Sequence, residues 1–177
     1  MVAVLVGAGL LLHRGTTRFL TEPLPTPSPA AARSAGPKVG TVAPALAGRA
    51  WSGAAVDLGR LHGRVVLVVF LRATCPACAG PLAAIEGAAR RQRAAGLTVI
   101  GVDTGAPGGG PALQRRLGPG IPLLAAGTGA GSITRRYQVG SGLPVLVFVA
   151  RDGWVAAVTG GPRSGQRLSR ELRRLLA

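Results

Sequence analysis

The chain's two cysteines fall in a single motif, Cys75-Pro76-Ala77-Cys78. Thiols at this spacing lie about one helical turn apart, so they can close into a disulfide and reopen; redox exchange is the leading chemistry. The run before them, Val65 to Phe70, is apolar without alternation and reads as a strand buried on both faces. The run after them, Pro81 to Ala95, reads as a helix with Gly96 as its C-terminal cap. A helix start favours a thiolate through its unpaired N–H groups and its dipole, and only the thiolate attacks a disulfide. Cys75 is therefore expected to attack, and Cys78 to resolve the mixed disulfide. Pro76 suits the first helical turn, where its missing N–H would be unpaired anyway. A static disulfide and half of a zinc site remain the competing readings. The first removes little unfolded-state entropy across so short a loop. The second lacks partners, since His13 and His62 are the only histidines.

The surrounding elements follow from pattern and punctuation. A weak strand or hairpin is expected over Trp51 to Leu58, strands over Val65 to Leu71 and Leu97 to Val102, and a loop over Gly105 to Gly110. Gly108-Gly109-Gly110 lacks the lysine and spacing of a phosphate loop. Short helices are expected over Pro111 to Leu117 and Ser132 to Val139, with a short strand over Ile121 to Ala125 between them. Val145 to Ala150, the Asp152-Gly153 turn and Trp154 to Thr159 read as a hairpin, and Ser164 reads as the cap of a final helix running to Leu176. Strands alternating with helices, closed by a hairpin and a helix, indicate an α/β sandwich with a central mixed sheet. His62 reads as a solvated loop residue, and Trp51 and Trp154 as packing residues.

The hydrophobic fraction of 47% supports a core, which the 3% of aromatics leaves to Val, Leu, Ile and Ala. The net charge of +15 is nearly all arginine, with Lys38 the only lysine. The arginines are scattered and no aromatics interleave them, so the charge reads as a solvated surface and no nucleic-acid partner is expected. Residues 1–20 open with twelve apolar residues, Met1 to Leu12. As a helix these span roughly 18 Å, short of a hydrocarbon core of about 30 Å. They are expected to be a signal or anchor, clipped at its start; a frayed terminus without a targeting role is the alternative. Residues 21–37 hold Pro23, Pro25, Pro27, Pro29 and Pro37 and read as an extended linker, leaving 38–177 as the folded domain.

This order, with a C-x-x-C after the first strong strand, resembles the thioredoxin superfamily, and within it the TlpA/ResA-like exported thiol–disulfide oxidoreductases. The likeness rests on Gly40-Thr41-Val42-Ala43-Pro44, on Leu61 to Phe70, on Cys75 to Cys78, on Tyr137-Gln138-Val139-Gly140-Ser141-Gly142-Leu143-Pro144 and on Asp152-Gly153. It implies a thioredoxin-like fold and a cis peptide before Pro144. It also implies that Leu143, Pro144, Thr74, Pro76 and Ala77 meet the substrate, with the Leu143 backbone pairing to an extended peptide as an added strand. The implied activity is disulfide exchange with cysteine-containing proteins outside the cytoplasm, at the cell membrane or secreted, as in cytochrome c maturation. It would need no cofactor or metal, act as a monomer and be served by a membrane or thioredoxin-like electron donor.

Two features depart from that pattern. Thr74 stands where relatives carry an aromatic; and where relatives often place an acid near the second cysteine, Val69 fills the buried strand position and Pro81 the place three after Cys78. Glu86 is the nearest acid in sequence, so a water, or no dedicated base, is expected to serve Cys78. Arg72 either stabilises the Cys75 thiolate or is a solvated loop cation. A peroxiredoxin-type peroxidase is the alternative activity, because Thr74-Cys75-Pro76 is similar to that site; a non-catalytic thioredoxin-like binding module is the third reading.

Overall fold

The computed structural model describes residues 36–177, apart from Ala130 and Arg163. The apolar segment and nearly all of the proline-rich linker lie outside the described residues. Among the described residues no helix is long and apolar enough to cross a membrane.

The fold is built outward from β3 (Val65–Leu71), seven residues that are all buried. Its β-branched run packs on both faces because it lies at the centre of a five-stranded mixed sheet of order β5-β4-β3-β6-β7. β4 (Leu97–Asp103) runs parallel to it, from Val65 against Leu97 to Leu71 against Asp103. β6 (Val145–Val149) runs antiparallel on the other side, from Val66 against Val149 to Phe70 against Val145. β5 (Leu123–Ala125) and β7 (Val155–Gly160) form the edges. A separate hairpin, β1 (Ala47–Arg49) with β2 (Ala55–Asp57), precedes the sheet. This is the expected thioredoxin-like α/β sandwich.

Helices cover the two faces unequally. The parallel connections β3-α1-β4 and β4-α2-β5 step the same way across the sheet, so right-handed crossing puts α1 (Ala79–Arg91) and α2 (Gly110–Leu117) on one face. Gly101 shows that α2 lies close: a methyl group there would meet Leu117 Cδ1 at 3.0 Å. α4 (Ser164–Leu176) packs on α1 and joins the same face. Val69 shares this face because it pairs with Gly101. Its neighbour Phe70 points to the other face, where its ring meets Tyr137 with centroids 5.2 Å apart. Tyr137 ends α3 (Ile133–Arg136), whose N-cap Ser132 accepts a hydrogen bond from the Arg135 amide.

Several boundaries differ from expectation. α1 stops at Arg91; the chain then turns, and the Leu97 amide donates to Gln92 O at 3.0 Å. Gly96, at φ 93°, shapes this turn and so does not cap the helix. The hairpin starts earlier than Trp51, which occupies its turn. Trp51 and Trp154 are 45% and 47% exposed, so neither is a core residue. Trp51 is tied down nonetheless: its amide donates to Leu123 O, and its indole lies directly over Gly110.

Candidate active site

The C-x-x-C sits where β3 ends. The Leu71 carbonyl accepts from the Thr104 amide at 2.9 Å and from Thr104 Oγ1 at 3.3 Å, which fixes the strand's last residue to the end of β4. Four residues later the chain enters a tight helical turn, Pro76–Cys78, that leads into α1. Cys75 is its N-cap, at φ −96° and ψ 104°, and Pro76 occupies the first turn. The Cys75 amide donates to Arg72 O, and the Cys78 amide to Cys75 O, both at 3.2 Å. The two sulfurs are bonded to each other, with Cα atoms 5.3 Å apart. Cys75 is 7% exposed and Cys78 2%, so the expected attacking thiol is the more open of the pair but is recessed in this oxidised form. Thr74 and Pro76 are exposed on either side of Cys75, and Ala77 is half-buried.

Pro144 reaches the same place from β6. Val145 pairs with Phe70, so Pro144 lies one step further toward the strand end that carries the dithiol. The Leu143–Pro144 peptide is cis. The Leu143 amide donates to Ser141 O at 3.0 Å, and Pro144 O accepts from the Gly161 amide at 2.9 Å. The strand-like pairing expected of Leu143 therefore has its carbonyl to work with, while its N–H is turned onto its own loop.

Charges at this end come from residues distant in sequence. Glu86 is not turned to the dithiol: it pairs with Arg90 at 3.8 Å along the helix. The carboxylate brought to this end is Asp103, the partner of Leu71 across the parallel ladder. It is buried beneath the loop that follows β4, and its Oδ1 accepts from the Gly105 amide at 2.8 Å. Arg72 is exposed beside the motif. A second guanidinium, Arg116 on α2, donates from Nη1 to Ala73 O at 3.3 Å and clamps the loop that carries Cys75. Neither Asp103 nor Arg116 was singled out from sequence. The register of β3 on β4 is the signal that finds the first; nothing local to Arg116 finds the second.

The rest of the site is apolar apart from two buried hydroxyls. Val69, Leu146 and Thr159 form one row across β3, β6 and β7 on the face covered by α1 and α4. Thr159 Oγ1 and, at the start of α4, Ser164 Oγ are buried without a protein partner. On the far face, burial pushes the Tyr137 hydroxyl well above its ordinary value, an effect the Arg136 charge partly offsets. Its hydroxyl donates to Pro44 O at 2.8 Å.

Residues 39–158, two-thirds of the chain, match the AhpC/TSA family. The chain belongs to this family. No curated protein matches it in sequence. Among solved structures, similar folds include a protein described as the thiol:disulfide interchange protein DsbE from Chlorobium tepidum, with 23% identity, TM-score 0.66, and 79% of this chain and 99% of that one covered. A thiol:disulfide interchange protein from Bacteroides sp. matches at 23% identity and TM-score 0.64, over 78% of this chain and 90% of that one. The MTB protein dsbF matches at 23% and 0.62, over 73% and 94%. The chain thus combines membership of the AhpC/TSA family and a thioredoxin-like fold with a closed C-x-x-C pair.

Proposed function

We propose that this protein is a thiol–disulfide oxidoreductase that exchanges disulfides with cysteine-containing proteins outside the cytoplasm. The observation that carries the reading is the bonded Cys75–Cys78 pair at the start of α1, at the strand end reached by cis-Pro144. In the reducing direction, the Cys75 thiolate attacks one sulfur of a substrate disulfide and expels the other as a thiolate. Cys78 then loses its proton and attacks Cys75 Sγ, which re-forms the bond seen here and releases the second substrate thiolate. Two electrons pass from the dithiol to the substrate, and two protons finish on the substrate thiols. The start of α1 favours the thiolate form of Cys75, and Arg72 and Arg116 add positive charge to its loop. Val69 stands at the buried strand position where relatives often place an acid, so a water, or no dedicated base, serves Cys78.

Reduction is the direction that the TlpA/ResA-like resemblance implies, with a membrane or thioredoxin-like donor restoring the dithiol. The apolar residues 1–12 and the proline-rich 21–37 support a protein tethered to the membrane, with the domain held outside. Cytochrome c maturation is the pathway class this placement suggests. The rival is peroxide reduction, favoured by Thr74-Cys75-Pro76. Insulin reduction, peroxide consumption and the dithiol's reduction potential, measured side by side, test the reading. Insulin reduction that falls at least about a thousandfold in Cys75→Ala supports it. Peroxide consumption without disulfide exchange overturns it in favour of the rival.

A further inference from the structure

The dithiol opens onto a one-sided charge distribution. Arg72 is exposed three residues before Cys75, and the exposed Arg116 reaches across from α2 to the carbonyl of Ala73. No acidic residue occupies the first turn of α1. The carboxylates of the described residues are engaged elsewhere. Asp57, Glu86 and Glu171 form ion pairs with Arg60, Arg90 and Arg174 along their own segments. Asp152 accepts from the Trp154 amide in the β6–β7 turn, at the opposite end of the sheet. Asp103 is at this end, but it is 5% exposed, lies under the loop and accepts from Gly105. A polypeptide lying across Cys75 therefore approaches a loop that carries the exposed Arg72 and is held by the exposed Arg116, with no exposed side-chain carboxylate of the described residues on that loop.

We infer that the preferred substrates are protein disulfides flanked by aspartate or glutamate; this rests on the oxidoreductase reading above. Acidic flanks are attracted to Arg72 and Arg116 as the encounter forms, which raises the association rate. The same flanks, laid against a bare thiolate, would repel it; the two guanidiniums offset that repulsion at the moment of attack. Basic flanks suffer the reverse. The net charge of +15 would draw any acidic chain to the surface, so the test must separate the rim from the whole.

The experiment uses two disulfide-bonded peptides, identical except for Asp or Lys beside the cysteines, and compares kcat/KM at low and high ionic strength. The Asp peptide is expected to react about tenfold faster at low salt, and the ratio is expected to shrink to about twofold or less at high salt. The double variant Arg72→Gln with Arg116→Gln keeps a donor for Ala73 O, removes both charges and is expected to bring the ratio near one; Arg72→Lys with Arg116→Lys restores it. The control pair is Arg93→Gln with Arg151→Gln. Arg151 makes the matching bond to Gly63 O at 3.3 Å at the opposite end of β3, and the control loses the same charge. It is expected to keep the preference. Equal rates for the two peptides, or an equal loss in the control, overturn the inference. Turnover of neither peptide overturns the oxidoreductase reading and the inference with it.

Discussion

The two ends of β3 are held in opposite ways. At its start, Val65 donates to Gly96 O, Gly63 to Arg151 O, and the Arg64 side chain to Thr98 Oγ1 at 2.7 Å and to Leu97 O. Strand, neighbour and hairpin are knitted into one block. At its finish, neighbouring elements hold the chain through Thr104 on Leu71 O and the single Arg116 contact with Ala73 O; the rest is the loop's own turn and the disulfide. The strand thus delivers a loop with fewer hydrogen bonds to neighbouring elements than the strand's start has, while the loop's two cysteines are packed into the buried core.

The strongest way to break the contrast is to remove the block on which both ends depend. Phe148, fully buried and paired with Leu67 at mid-strand, is such a point. Phe148→Ala is expected to lower stability by about 3–5 kcal/mol in urea unfolding, and with it both ends of the strand. Next comes alkaline pH, which acts through Tyr137. Its folded value is raised by burial, so below the unfolded value of about 10 both states hold the proton and stability is level. Above that the unfolded state loses the proton first, and stability falls by up to about 1.4 kcal/mol per pH unit until the folded group titrates too. Tyr137→Phe, which cannot ionise, is expected to flatten this alkaline slope in denaturation measured across pH. The smallest effect sharpens the comparison directly. Arg64→Ala is expected to cost about 1 kcal/mol of stability and leave disulfide exchange unchanged. Arg116→Ala is expected to cost less than about 0.5 kcal/mol, because it is exposed, yet to raise the pH at which Cys75 reacts with a thiol reagent.

The same contrast governs what could be read in advance. β3 was legible because an unbroken apolar run of that length has to be buried on both faces; α4 was placed by reading Ser164 as its cap, but Ser164 is the helix's first residue and its buried Oγ makes no capping bond. The cis peptide at Pro144 was legible only through resemblance to a known pattern. The end of α1 was not legible, because alanine and arginine beyond Arg91 are good helix formers; the chain turns there to bring Leu97 into register beside Val65. Asp103 and Arg116 were missed for a related reason. Their roles come from where a parallel neighbour and a crossover helix deposit them, and neither has a local signature. By residue type the tryptophans read as packing residues, while the hairpin turn and the β6–β7 turn leave them half open.

Trp51 has a use beyond packing. Its ring rests on the first residue of α2, the helix that carries Arg116 to the cysteine loop. A shift of that helix is expected to change the indole's contact with water and with it the emission colour. With Trp154, the other described tryptophan, replaced by phenylalanine, Trp51 would serve as an optical gauge of the clamp on the sulfur pair, readable in solution without any attached label.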